Sequence, residues 1–139
     1  MYPPTPVYEV GREKIREFAD ALGDSSPAYR DPAAARKLGY PDVIAPPTFA
    51  IVLSSTAARQ VIADPELGLD YSRVVHGEQR FIHVRPLHAG DRVVVVVTVE
   101  SIRAAVGNDV VGTKGEIFTE DGDLVCTAHS VLVARGTAV

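Results

Sequence analysis

Apolar residues in the first half of the chain recur at intervals of three and four, the spacing of one face of a helix. This spacing begins after Gly11 and stops at Gly23, a residue that ends helices because it adopts a left-handed conformation at little cost. The apolar positions of this predicted helix are Ile15, Phe18, Ala19 and Leu22. Asp31-Pro32 is typical of an N-cap followed by proline at the first helical position, and it predicts a short helix over residues 33–38 that Gly39 ends.

A longer and more apolar helix is predicted after Pro46-Pro47, over about residues 49–62, with Thr48 as its cap. One stripe of this helix consists of Phe49, Leu53, Ala57 and Val61, and the positions beside it are Ile51, Val52, Ala58 and Ile62. A helix that is apolar around most of its circumference belongs in the interior of a domain. We therefore expect this helix to be largely buried.

The second half of the chain has the composition and the turns of β-structure. Strands are predicted over residues 74–84, 92–102, 110–119 and 124–135, with turns at 107–109 and 120–123. The unbroken valine run at 93–97 predicts a strand covered on both faces. Residues 8–10 are the one candidate for an earlier strand. The chain is therefore predicted to be a single α+β domain over 1–139, with an antiparallel sheet wrapped around a long central helix.

Composition narrows the classes of function. The chain is 46% hydrophobic and 23% charged, so disorder is expected only at residues 1–6 and 137–139. A net charge of −4 disfavours nucleic acid, which needs a concentrated basic surface. Cys126 is the sole cysteine and permits no intramolecular disulfide, and no signal peptide or membrane-spanning stretch is apparent. We expect a cytoplasmic protein without a membrane partner.

The sequence also bears on cofactors. The four histidines and Cys126 lack the spacing of metal ligands. No glycine-rich phosphate loop follows a predicted strand. Neither a metal site nor a nucleotide cofactor is expected.

The region from Gly23 to Phe49 carries the most specific motif. It runs GDSSPAYRDPAAARKLGYPDVIAPPTF, with the order Gly-Asp-x-x-Pro-x-Tyr-x-Asp at its start. This order resembles the hydratase motif of MaoC-like dehydratases and hydratases, with Tyr29 in the place of the motif's histidine and Pro46-Pro47 in the place of His-Gly. The segments HGEQ at 76–79, RP at 85–86 and AGD at 89–91 are similar to the family's second strand and turn, so the resemblance covers nearly the whole chain.

The resemblance implies a hot-dog fold and chemistry on acyl thioesters. The activity it implies is that of an (R)-specific 3-hydroxyacyl-ACP or -CoA dehydratase, which in reverse is an enoyl hydratase. That reaction needs a base, an acid for the departing hydroxyl, and donors for the charge that grows on the thioester oxygen. In the family the motif's Asp and His share the proton transfers, and backbone N–H groups at the start of the buried helix are the donors.

Tyr29 alters what the resemblance implies, because a phenol with a pKa of about 10 is a poor base at neutral pH. The tyrosine and the sequence APPTF at 45–49 are similar to a branch that includes the acyl-chain-binding subunit of the heterodimeric (3R)-hydroxyacyl-ACP dehydratase of mycolic-acid synthesis. In that complex the other subunit supplies the Asp and the His. The chain is thus expected to bind acyl-CoA or acyl-ACP, either as a homodimer or as a heterodimer with a second MaoC-like subunit, and to be weakly catalytic or non-catalytic in the second case.

The candidate catalytic residues are Asp24, Tyr29 and His76. Asp24 also suits a cap for the turn after the first helix, and Tyr29 also suits a packing aromatic. Strand alternation places His76 on one face with Glu78 and Arg80, either as an acid–base pair or as part of a solvated face. Substrate contacts are expected from Ser26, Pro47, Thr48 and Phe49.

The remaining histidines are interpreted as structural. His83 and His88 are expected to be strand and turn residues without partners. His129 lies in a strand pattern and is expected to have a structural role.

Two other functions stay open. One is a module that binds an acyl chain or an acyl carrier without turnover. The other is a hot-dog thioesterase in which Asp24 or Glu78 acts at the thioester. In each case a modest basic rim suits the phosphates of CoA or of an acyl carrier, and it consists of Arg30, Arg36 and Lys37.

Overall fold

The computed structural model describes residues 1–136, and the tail at 137–139 lies outside the described residues. Within that range the structure has four α-helices and five strands. Two short 3₁₀ turns, at Pro27–Tyr29 and Tyr71–Arg73, lie between them. In chain order the elements are β1 (Tyr8–Glu9), α1 (Arg12–Leu22), α2 (Pro32–Lys37), α3 (Ala50–Ala57), α4 (Arg59–Ala63), β2 (Val74–His83), β3 (Arg92–Ala105), β4 (Asn108–Thr119) and β5 (Leu124–Ala134).

The strands form one antiparallel sheet in the order β1-β3-β4-β5-β2. The two predicted hairpins form, and the β3–β4 hairpin is longer than predicted because its turn is tight. Val106 and Gly107 make that turn with φ of 53° and 79°. In register across the sheet, Ile117 of β4 pairs with Val95 and with Cys126, and Cys126 pairs with His83 of β2.

Helix α3 packs against the inner face of β3, β4 and β5. The predicted stripe of this helix is buried, with exposures between 0% and 5% at Phe49, Leu53, Ala57 and Val61. Phe18 of α1 meets Phe49 edge-on, with 5.4 Å between the ring centroids. The prediction of an α+β domain with its sheet around a central helix is confirmed.

The central helix is shorter than predicted, since α3 and α4 meet at a break at Ala58. Just before it, the Ser55 hydroxyl donates to the Ile51 carbonyl at 2.6 Å and the Thr56 hydroxyl donates to the Val52 carbonyl at 2.9 Å. Such bonds draw carbonyls away from the helical ladder and bend helices. No helix within residues 1–136 is long and apolar enough to span a membrane.

The start of the central helix also differs from the prediction. Thr48 is not its cap: α3 begins at Ala50, Phe49 is the N-cap residue, and no side chain caps the first turn. Residues 47–49 form a turn, which the Phe49 N–H closes by donating to the Pro46 carbonyl at 2.9 Å.

The valine run is covered on one face rather than on both. Val93, Val95 and Val97 are buried under the helix, whereas Val94 and Val96 are only half-buried. The prediction failed because β-branched residues alone do not distinguish a strand between two layers from a strand on a single inner core. The outer face of the sheet carries no second layer among the described residues.

The N-terminal residues are ordered along β3, against the expectation of disorder at 1–6. The Tyr2 N–H donates to the Val97 carbonyl at 2.9 Å, and the Thr5 N–H donates to the Val95 carbonyl at 3.0 Å. The Tyr2 hydroxyl also donates to Asp64 at 2.8 Å. These bonds cover the outer edge of β3 beyond the two residues of β1.

Candidate functional site

A pocket of about 320 Å³ opens where the central helix begins and where β2 ends. Its walls are mainly apolar, and its polar groups come from Tyr29, His83 and Arg85. The other lining residues are Ile44, Ala45, Pro47, Val84 and Pro86. Apolar walls with a few converging polar groups are typical of a site for a small organic ligand.

Backbone hydrogen bonds hold the walls of this pocket together. The Ile44 N–H donates to the Ala28 carbonyl at 3.0 Å, which ties the pocket floor to the turn that carries Tyr29. The Ala45 N–H donates to the Leu87 carbonyl at 2.7 Å, which ties the same segment to the residues after β2. Three sequence-distant segments therefore meet at one place.

Tyr29 lies half-buried in this pocket, close enough to Asp24 to feel its charge. Burial, and next the negative charge of Asp24, raise the pKa of the Tyr29 phenol above its ordinary value. A phenol with a raised pKa stays protonated at neutral pH, so it suits a hydrogen-bond donor better than a base. The charge of Asp24 acts on Tyr29, but Asp24 is not among the residues that line the pocket.

Asp24 and Ser26 form the turn after α1. The Asp24 carboxylate accepts the Ser26 N–H at 3.0 Å, and the Asp24 N–H donates to the Ala19 carbonyl at 3.0 Å. Arg30 donates to the Asp24 carbonyl and to the Asp20 carboxylate. This geometry fits the turn-capping interpretation of Asp24, and the carboxylate is exposed beside the pocket rather than inside it.

His83 is exposed and lines the same pocket as Tyr29, a position that the sequence interpretation missed. Its Nε2 lies 2.8 Å from the carbonyl oxygen of Pro47. The expectation that His83 has no partner is wrong, because the curled sheet carries the end of β2 to the turn before α3. One signal for it existed in the sequence: alternation puts His83 on the same strand face as the partly buried Phe81.

The other predicted substrate-binding residues, Pro47, Thr48 and Phe49, differ in their position relative to the pocket. Pro47 lines the pocket and Thr48 is exposed on the turn beside it. Phe49 is fully buried in the core against Phe18, so its place is under the pocket rather than on its surface.

His76 lies against a different, largely apolar cavity of about 210 Å³ beside α3 and α4. Its Nε2 is 3.0 Å from Oε1 of Gln79, the same oxygen that accepts the Ser130 hydroxyl at 2.6 Å. The prediction that His76 shares a face with Glu78 and Arg80 is wrong, because a bulge between His76 and Glu78 breaks the alternation.

Glu78 consequently faces the outer side of the sheet. It lines a pocket of about 370 Å³ there with Arg80, Glu100 and His129, away from Tyr29. His129 contributes to this face through a 2.9 Å contact between its Nδ1 and the Glu100 carboxylate. A thioesterase role for Glu78 at the Tyr29 pocket has no support in this placement.

Arg85 lines the pocket and also forms an ion pair with Asp91. Its guanidinium donates two hydrogen bonds of 2.9 Å to Asp91, whose side chain is 6% exposed. Those bonds raise the pKa of Arg85 above its ordinary value. Asp91 also accepts the His88 N–H at 2.9 Å and lies 3.3 Å from Nε2 of His88, so the expectation that His88 has no partner is also wrong.

Two members of the expected basic rim have partners within the chain. Arg30 pairs with Asp20, and Arg36 lies beside Asp42 and donates to the Pro41 carbonyl. Among the described residues, no group of three or more His, Cys, Asp or Glu side chains is placed to hold a metal ion.

Comparisons with known proteins agree with this geometry. Residues 5–128 match the family model of the FAS1-like dehydratase domain region. A UPF0336 protein of Saccharopolyspora erythraea is 64% identical over 137 residues, which are 99% of this chain and 88% of that protein. A chain of the C-terminally truncated HadBC (3R-hydroxyacyl-ACP dehydratase) complex of Mycobacterium tuberculosis is similar with a TM-score of 0.84 and 32% identity, over 95% of this chain and 91% of that one. A MaoC-like dehydratase is similar with a TM-score of 0.86 and 35% identity, over 94% of this chain and 39% of that longer one.

Proposed function

Because the chain belongs to the family of the FAS1-like dehydratase domain region and is a MaoC-like protein with a hot-dog fold, we propose that it binds 3-hydroxyacyl or enoyl thioesters of CoA or an acyl carrier protein. It takes part in their (R)-specific dehydration or hydration, in cytoplasmic fatty-acid-type metabolism. It acts as a hydro-lyase or as the acyl-binding subunit of one.

The observation that carries this proposal is the pocket between Tyr29, Pro47 and His83. Its volume of about 320 Å³ suits the thioester end of an acyl chain, and its apolar walls suit the first carbons of that chain. The protonated phenol of Tyr29 is a donor for the thioester oxygen. A ligand in this pocket therefore meets both an apolar surface and a hydrogen-bond donor.

In this proposal the chain works as a dimer with a second hot-dog subunit. Strand β2 is an edge strand of ten residues, and no strand of the described chain pairs with its outer side. A long open edge is a place where another strand adds. The related HadBC protein is a complex of two different subunits, which supports a homodimer or a heterodimer with a MaoC-like partner.

A binding role without turnover is the second candidate, and Tyr29 favours it. In this role the chain holds an acyl chain or an acyl carrier and the bound thioester is not converted. The two candidates share the same pocket and differ in whether the thioester reacts there.

Binding at the pocket is tested with two tryptophan variants close together in sequence. Val84 lines the pocket and is 66% exposed, whereas Ile82 is 51% exposed and lies outside it. Val84→Trp fills the pocket opening, so we expect it to weaken binding of crotonyl-CoA and dodecenoyl-CoA at least tenfold by calorimetry. Ile82→Trp is the matched control and should bind like the wild type.

The same proteins are then assayed for hydration, alone and mixed with a MaoC-like subunit that retains the motif's Asp and His. Hydration by the chain alone supports the hydro-lyase, and hydration only in the mixture supports the acyl-binding subunit. Absence of saturable binding to either thioester would contradict the proposed function. Equal binding by both tryptophan variants would place the ligand elsewhere.

A further inference from the structure

The hydrogen bond of His83 determines which of its ring nitrogens holds the proton. A carbonyl oxygen only accepts, so the 2.8 Å contact with Pro47 requires a proton on Nε2 of His83. A neutral imidazole carries one proton, which leaves Nδ1 as an acceptor. The ring can gain a second proton on Nδ1 without losing its bond to Pro47. This arrangement suits a group that takes and returns a proton from a fixed position.

His83 is also distinguished by its neighbours. The titratable or charged groups around it are Tyr29 and Arg85, which line the same pocket, and Cys126, which is its register partner on β5. The pKa of Tyr29 is raised by burial and by Asp24, and burial raises the pKa of Cys126 to about 11. Arg85 stays charged beside Asp91. His83 is the residue with an imidazole among those that line this pocket, and imidazole is the side chain that most often acts as general acid and base.

We propose that His83 is the proton-transferring residue of the Tyr29 pocket, in the role that the histidine of the hydratase motif has elsewhere. The proposal rests on the acyl-thioester function given above and goes beyond it, because it makes the chain catalytic without a histidine from a partner. It also replaces His76 as the candidate base, since His76 lies against a separate cavity.

The reaction balances with water as the only co-reactant. In the hydration direction, the oxygen of a water forms a bond to Cβ of the enoyl thioester as Nδ1 of His83 takes one water proton. The π electrons of the Cα–Cβ bond move into an enolate, whose oxygen accepts a hydrogen bond from Tyr29. The imidazolium then returns the proton to Cα, so one water has been added and His83 is neutral again. Dehydration is the reverse sequence.

The test uses the full chain alone, with crotonyl-CoA and dodecenoyl-CoA as probes. His83→Gln keeps an N–H donor for the Pro47 carbonyl and removes the titratable ring. His76→Gln examines the competing histidine, and His129→Gln, on the outer face, is the matched control. Each variant is checked by its melting temperature and by its affinity for the thioester, so that lost activity is separated from lost folding or binding.

General acid–base catalysis contributes roughly 100-fold or more to a rate. We expect His83→Gln to lower kcat at least about 100-fold while its thioester affinity stays within about threefold. The pH profile of kcat/KM should change in this variant, because glutamine removes the ionisable ring. His129→Gln should match the wild type.

Three results would overturn the assignment of His83 and leave the acyl-thioester function intact. They are unchanged kcat in His83→Gln, loss of activity in His76→Gln instead, and wild-type protein that binds the thioester without turning it over. Failure of the wild type to bind either thioester would instead contradict the proposed function itself.

Discussion

Replacing Asp91 by alanine tests whether the ion pair behind the pocket holds the β2–β3 connection in place. The carboxylate is 6% exposed and accepts three hydrogen bonds of 2.9 Å, two from Arg85 and one from the His88 N–H. Removal of Asp91 leaves the N–H of His88 unsatisfied and the Arg85 guanidinium without its partner.

The expected loss of stability in Asp91→Ala follows from how deeply the ion pair is buried. Removing one member of a fully buried ion pair costs about 3–5 kcal/mol. The side chain of Arg85 is 37% exposed, so water compensates part of that loss and the low end applies. We expect Asp91→Ala to lower the free energy of unfolding by about 3 kcal/mol.

Glu120→Ala is the control, because Glu120 also pairs with an arginine through a bond of 2.8 Å, but on the surface. The side chains of Glu120 and Arg92 are 46% and 49% exposed, so water screens this pair and its removal should change stability little. The chain has no tryptophan, so urea unfolding is followed by far-ultraviolet circular dichroism. A loss in Asp91→Ala below about 1 kcal/mol, or no larger than in Glu120→Ala, would show that this ion pair does not hold the connection in place.

Three other predictions concern the core and its titratable groups. Phe49→Ala removes the buried ring that meets Phe18 at 5.4 Å and should lower the free energy of unfolding by about 4 kcal/mol in the same urea assay; a loss below about 1.5 kcal/mol would contradict the packing. Burial raises the pKa of Cys126 to about 11, so its thiol should react with Ellman's reagent at pH 8 only after unfolding, and rapid reaction of the native protein would count against its burial. The hydrogen bond from Arg12 lowers the pKa of Asp42, so its stabilisation is present above the unfolded value of about 3.9 and is lost as pH falls through the folded value; acidification from about pH 5 to 2 should therefore destabilise the wild type more than Asp42→Asn, and equal losses would contradict the pairing.

The elements that the sequence predicts well are those with local signals. Gly23 ends α1 with φ of 73°, and the side chain of Asp31 accepts the N–H of Ala33 at the start of α2. The turn at 120–123 joins β4 to β5 as predicted. Each of these features depends on a few consecutive residues, so propensity and periodicity are sufficient to find them.

The predictions that failed depend on contacts that periodicity does not describe. The break at Ala58 arises where Ser55 and Thr56 bond to carbonyls four residues earlier, inside a stretch whose apolar spacing is continuous. His76 changes face because of one bulge, and a shift of one residue reverses the side of every side chain before it.

The candidate site was partly predictable. The motif drew attention to Asp24 and Tyr29, and in the structure Tyr29 lines the pocket while Asp24 lies close enough for its charge to act on Tyr29. His83 reaches Pro47 from 36 residues away in the sequence, through the curl of the sheet. Alternation with Phe81 indicates the strand face of His83, but the contact with Pro47 depends on the fold.

The decisive measurement is a crystal structure of the chain with a non-hydrolysable analogue of crotonyl-CoA in which a methylene group separates the sulfur from a retained carbonyl. We expect the acyl group in the pocket of Tyr29, Pro47 and His83, with its carbonyl oxygen within hydrogen-bond distance of the Tyr29 hydroxyl and its β-carbon beside His83. An acyl group bound beside His76, or in the outer pocket with Glu78, would contradict this expectation.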